Sequence, residues 1–167
     1  MLLKENTKNG YIKHPTELNI KREGDELIFT FLAYNSAFYS AGKKYNDPIY
    51  DGSVVEVFLS YGIKNHYYEI EVAPNGTVFL ADIENINNHT KINFINDCFI
   101  KSSVKKEANN YLVTISFPLN KIKTEEPKFN AFRIEFVDNK QYLYALNPTM
   151  CDSFHRMEAF IDLLPLL

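Results

Sequence analysis

The chain has 167 residues, a formal net charge of −3 and an apolar share of 46%, about one domain's worth of sequence, able to bury roughly 70% of its unfolded surface. Its lysines are scattered, clustering only as the pairs Lys43-Lys44 and Lys105-Lys106, so neither nucleic acid nor an anionic membrane is an expected partner. No apolar run approaches the ~18–20 residues of a membrane span.

The dominant period along the chain is two. From Glu26 to Ala33 both faces are apolar, as in a strand buried within a sandwich. Val54 to Leu59 is similar, with Glu56 interrupting one face. In the segment from Tyr67 to Val72, Tyr68, Ile70 and Val72 share one face and Glu69 and Glu71 the other. Ala73-Pro74-Asn75-Gly76 ends that strand and turns the chain, and Thr77 to Leu80 completes a hairpin. Residues 84–96, rich in Asn and Ile, read as a long loop. Tyr111 to Phe117 alternates again until Pro118, and residues 119–122 suit one helical turn. Phe132, Ile134 and Phe136 alternate with Arg133 and Glu135, followed by an Asp138-Asn139 turn. Residues 142–145 and 158–163 read as two closing strands. Short strands separated by turns, without sustained helical periodicity, repeats or linkers, predict one all-β antiparallel β-sandwich over residues 1–167.

Catalytic signatures are sparse. Phosphate-binding glycine motifs and a Gly-x-Ser-x-Gly elbow are absent from the sequence. Ser153 and His155 stand near Cys151 without a second metal-ligand pair or an orienting third group. Glu56, Glu69 and Glu71 sit on strands that could be neighbours, but carboxylates on an exposed sheet face ordinarily keep it soluble. Asn46-Asp47 or Asp82-Ile83-Glu84 could lend oxygens to calcium, which needs six or more and draws them from several loops. The expectation is therefore no enzyme, no committed metal site and no cofactor, with calcium as the one candidate. The N-terminus lacks an apolar stretch long enough for a signal peptide. The expected location is cytoplasmic, or extracellular if a leader or larger host protein has been removed. Cys98 and Cys151 are then expected to be reduced thiols.

The ordered segments resemble a known family. Residues 47–59, including Tyr50-Asp51-Gly52 and Val55-Glu56-Val57-Phe58-Leu59, resemble the family 9 carbohydrate-binding modules and their DOMON-like relatives. So do the hairpin over residues 67–76, Phe129-Asn130-Ala131-Phe132-Arg133, Asn147-Pro148-Thr149, and Phe154-His155 followed by Glu158 and Phe160. The resemblance runs from about Glu26 to Leu163 and implies a jelly-roll or immunoglobulin-like sandwich that binds a sugar or glycan end without catalysis. It implies that Tyr50 takes the place of one of two stacking tryptophans and that Leu146 occupies the other position, where Tyr144 or Tyr45 could substitute. Glu56 matches an acid that hydrogen-bonds a sugar hydroxyl, with Arg133 and Asn147 as expected partners. A mono- or oligosaccharide is the expected ligand; the alternative is a diverged sandwich binding a protein or another small molecule. A competing structural role for Glu56 is an ion pair with Arg133 across the sheet.

Overall fold

The computed structural model describes residues 1–7, 12–34 and 38–167. Its strands are β1 (Lys4–Glu5), β2 (Thr16–Glu23), β3 (Glu26–Tyr34), β4 (Val54–Ser60), β5 (His66–Val72) and β6 (Val78–Ile86). They continue as β7 (His89–Phe94), β8 (Lys101–Lys106), β9 (Asn110–Pro118), β10 (Lys128–Val137), β11 (Lys140–Ala145) and β12 (Ile161–Asp162). All pair antiparallel in two sheets. The larger has the order β1-β11-β10-β4-β5-β6-β7, with β12 alongside β10, and the smaller has β2-β3-β9-β8.

Side-chain alternation explains how the sheets meet. Leu27, Phe29, Phe31 and Ala33 of β3 pack with Tyr111, Val113, Ile115 and Phe117 of β9. Against them lie Val55, Val57 and Leu59 of β4 and Tyr68, Ile70 and Val72 of β5. This is the inter-sheet core of a β-sandwich, in which each strand gives alternate residues to the interior.

The outer face of the larger sheet is also apolar. Val54, Phe58, Tyr67, Phe79, Phe132 and Ile134 gather there, roofed by Ile49 from the loop before β4 and by Phe154 and Phe160 after β11. This second cluster explains why nearly all of β4 and β5 is buried on both faces.

Two expectations about the chain's course need correction. Residues 84–96 do not form a long loop: β6 runs to Ile86, Asn87 and Asn88 turn with φ of 52° and 66°, and β7 returns along β6. Consecutive asparagines, which tolerate the left-handed conformation, take the positions where Asn-Gly is more familiar. The expected strand over residues 158–163 is a 3₁₀ turn at Met157–Ala159 followed by the two residues of β12. Besides β7, three strands were not anticipated: β1, β8 and β2. The last is signalled by Leu18 and Ile20 alternating with Glu17, Asn19 and Lys21.

Candidate functional site

The outer face of the larger sheet carries an open cleft of about 440 Å³. Its floor comes from β4 and β5. Glu56 and Phe58 project from β4 opposite Glu71 and Glu69 of β5, since the register pairs Glu56 with Glu71 and Phe58 with Glu69. One wall is the 3₁₀ turn Ile49–Asp51, which presents Tyr50; the other is the segment bearing Phe154 and His155.

Tyr50 is 38% exposed. Its ring meets the edge of Phe79 at 5.9 Å between centroids, and its carbonyl accepts a hydrogen bond of 2.9 Å from Gln141 Nε2. The loop beneath it is tied down by Asn46, whose backbone N–H donates to Val78 O at 3.0 Å while its side chain bridges Leu80 N and Ile95 O. Asp47 accepts from the amides of Lys43 and Lys44 at 2.9 Å each. Asn46 and Asp47 thus spend their oxygens on the loop. Asp82, considered for calcium together with Glu84, accepts from Tyr61 Oη at 2.8 Å and lies 3.1 Å from His66 Nδ1.

The floor is acidic. Glu56, Glu69 and Glu71 are only 2%, 5% and 1% exposed, and one oxygen from each lies within 4.8 Å of the others. Glu69 and Glu71 therefore do not solubilise an exposed face, as their alternation suggested, because the segments bearing Tyr50 and His155 close over it. Among the described residues, no amide, hydroxyl or basic group donates to Oε1 of Glu56 or to either oxygen of Glu71. Burial is the largest influence on all three, followed for Glu56 and Glu71 by the neighbouring carboxylates. The Glu69 carboxyl is pushed up to about 7, and Glu56 and Glu71 stand well above the ordinary range. Asp51 and Asp152 also line the cleft, and among the described residues no lysine or arginine does.

His155 is the base nearest this floor among the lining residues. Its Nδ1 lies 2.6 Å from Tyr67 Oη, and its Nε2 lies 3.9 Å from Glu69 Oε1. Burial holds its pKa down at about 4, so the imidazole is neutral at pH 7. Its ring stacks on Phe58 at 5.2 Å, and Phe154 stacks on Phe132 at 4.3 Å.

The remaining sequence-derived candidates lie elsewhere. Arg133 pairs in register with Val55, while Phe132 pairs with Glu56. Strand alternation therefore turns the guanidinium to the face opposite Glu56, and neither a shared ligand nor a Glu56–Arg133 ion pair can form. Arg133 is fully buried, donates to Thr16 Oγ1 at 2.8 Å and to the carbonyls of His14 and Tyr34, and lies 3.7 Å from Glu135. Tyr144 belongs to the same interior network, donating to Glu135 Oε2 at 2.9 Å. Leu146 packs against the inter-sheet core and so does not stand on the cleft. Asn147 secures the C-terminal segment, donating through Nδ2 to Ala159 O at 2.9 Å and through its amide to Asn130 Oδ1 at 3.1 Å. Tyr45 donates to Ile95 O at 2.6 Å. The sequence did carry a signal for the full floor: two glutamates at i and i+2 on β5, beside a glutamate on β4, must share a face once the strands pair.

This architecture matches known structures. A Bacteroides uniformis protein described provisionally as carbohydrate-binding superposes with a TM-score of 0.76 at 14% identity, over 96% of this chain and 83% of that one. A family 9 carbohydrate-binding module from Caldicellulosiruptor kristjanssonii, in complex with glucose, gives 0.68 at 12% identity over 96% and 81%. One from the same organism in complex with cellotriose gives 0.60 at 12% identity over 86% and 70%. No family model and no curated protein matches the sequence. The fold is thus a β-sandwich of the family 9 carbohydrate-binding module type.

Proposed function

We propose that this domain binds a sugar, as a monosaccharide or a glycan end, in the cleft between Tyr50 and the glutamate floor, without acting on it chemically. The observation that carries this reading is the convergence of a half-open aromatic ring and buried carboxylate oxygens lacking donors on one cleft. A sugar ring supplies what both lack. Its C–H face packs against Tyr50, and its hydroxyls donate to Glu56 and Glu71. The three carboxylates stand side by side on one floor and do not flank a bond from two sides, as the acids of a glycosidase do. Fold neighbours caught with glucose and cellotriose support the choice of ligand class.

A glycan array followed by calorimetry with glucose and cello-oligosaccharides tests the reading. Tyr50→Ala and Glu56→Gln should each weaken binding about tenfold, since 1.4 kcal/mol corresponds to that factor. Absence of any sugar binding at millimolar concentration would overturn it and favour a protein or another small molecule as ligand; binding that survives both substitutions unchanged would overturn the placement of the sugar in this cleft.

A further inference from the structure

The glutamate floor has more acceptor capacity than the protein supplies with donors. Oxygens of Glu56 and Glu71 have no donor, and among the described residues lining the cleft the one base is His155, which is occupied through Nδ1 by Tyr67 and stands 3.9 Å from Glu69. Two neutralisers remain, protons or a cation, and the geometry admits the cation. Around an ion with oxygens at 2.3–2.6 Å, as for Ca²⁺, opposite ligands stand about 4.6–5.2 Å apart and adjacent ones closer. Three oxygens mutually within 4.8 Å therefore fit in one coordination sphere. They come from paired strands, so their spacing is fixed by the sheet and needs no loop to close.

We propose that Glu56, Glu69 and Glu71 form a binding site for a hard divalent cation of calcium size on the floor of the cleft. The donors are all carboxylate oxygens, without the nitrogen or thiolate ligands that draw zinc. Three carboxylates supply between three and six of the six to eight oxygens that calcium takes. The positions left open face the cleft, where water or adjacent hydroxyls of a bound ligand complete the shell. Fully ionised, the three carboxylates carry a charge of −3, which a 2+ ion reduces to −1. The site stands on the carboxylates and does not depend on the sugar reading.

The test is calorimetric titration of the chelator-treated full chain with CaCl₂ and with MgCl₂, in the absence of sugar. One Ca²⁺ per chain is expected, preferred over Mg²⁺, with a rise in the melting temperature. Glu71→Gln and Glu56→Gln should each lower Ca²⁺ affinity by about tenfold or more, whereas Glu125→Gln, on the exposed surface, should bind as the parent does. Glutamine keeps the shape and removes the charge, and either variant suffices should the other fail to fold. Lack of Ca²⁺ binding by the parent at millimolar concentration would overturn the proposal and leave protons as the neutralisers. Unchanged affinity in both glutamine variants would place the ion elsewhere and overturn it equally. Preference for Mg²⁺ would overturn the assignment of size. A chain that binds Ca²⁺ but no sugar, or sugar but no Ca²⁺, separates this site from the proposed function.

Discussion

Glu56 on β4 and Glu71 on β5 are direct cross-strand partners with both side chains on the outer face, and each is buried to within 2% of completely. Burial beside other carboxyl groups holds both acids well above the ordinary range, so at neutral pH folding must keep on them protons that the unfolded chain releases, which costs stability. In cation-free buffer at pH 7.5, Glu71→Gln should therefore stabilise the fold by about 1 kcal/mol, or roughly 2–4 °C in melting temperature for a chain of this size. Thermal unfolding of the chelator-treated variant checks this. A lower melting temperature would mean that the carboxylate has a partner in the native state.

The same cluster sets a pH dependence for cation-free protein. Glu56, Glu69 and Glu71 have folded-state pKa values above the ordinary value of 4.5, with Glu69 at about 7, burial being the first cause. Above pH 4.5 the unfolded chain releases these protons while the folded chain retains them, so stability falls as pH rises. Glu69 contributes to this fall up to about pH 7, and the other two carry it further. His155, held at about 4 from 6.5 by burial, opposes the trend, because the folded state loses stability as pH drops below 6.5. Among the described residues, the other ionisable groups facing the floor are Asp51, Asp152, Tyr50 and Tyr67. Three acids outweigh one base, so urea midpoints measured from pH 5 to pH 8 should decline. Glu69→Gln should flatten the curve between pH 5 and 7; a rising curve in the parent would contradict the assignment.

Arg133 is predicted to matter for stability and not for ligand affinity. Its guanidinium is enclosed by Thr16, the carbonyls of His14 and Tyr34, and the rings of Tyr111 and Tyr144 at 5.7 and 5.8 Å. Arg133→Met removes the positive charge beside buried Glu135, which breaks a buried pair at a cost of about 3–5 kcal/mol. Urea denaturation should show that loss. Sugar affinity of the fraction still folded should be unchanged, since the side chain lies on the opposite face of the sheet from the cleft.

How far the sequence reached depends on what alternation can report. The pairing of β5 with β6, and the shared face of Tyr68, Ile70 and Val72, followed from a period of two and from the Asn75-Gly76 turn. The same period split Phe132 from Arg133, so the placement of Glu56 and Arg133 on opposite faces was within reach once the β4–β10 register was known. The cover over the outer face was not legible. Phe154 and Phe160 arrive from an irregular segment with no strand period, and only their packing on Phe132 and Phe58 shows that Glu69 and Glu71 are withdrawn from water. Alternation assigns a face, and burial depends on what lands on it.

Asn130 is the hinge pin of that covering segment. It is fully buried on β10, donates to Asn147 O at 2.8 Å and to Ala159 O at 3.3 Å, and accepts from the amides of Ala131 and Asn147. Asn130→Ala strips partners from several buried backbone groups, and each group left unsatisfied costs about 1–3 kcal/mol. The expected loss is at least about 2 kcal/mol in urea, with faster amide exchange in residues 147–160 before the rest of the chain. Uniform exchange across both sheets would show that the segment does not loosen separately.

The loop carrying Tyr50 offers a cleaner separation of site from scaffold. Gly42 is buried, and a Cβ there would lie 2.6 Å from both Asp47 Cβ and Ile49 Cγ2. Neither atom is the free end of a flexible chain: Asp47 holds the amides of Lys43 and Lys44, and Ile49 is fully buried in the outer cluster. Gly42→Ala must therefore displace the segment that sets the height of Tyr50 above Phe79, at about 1–3 kcal/mol for an overpacked site. It should lower the melting temperature and weaken sugar binding together. Asn88→Gly, in the turn between β6 and β7 where φ is 66°, relieves a left-handed residue and should raise stability by up to about 1 kcal/mol. That turn lies outside the cleft, so sugar affinity should hold. If Gly42→Ala melts lower yet binds sugar as the parent does, the position of Tyr50 does not govern recognition, and stacking on its ring is not what selects the ligand.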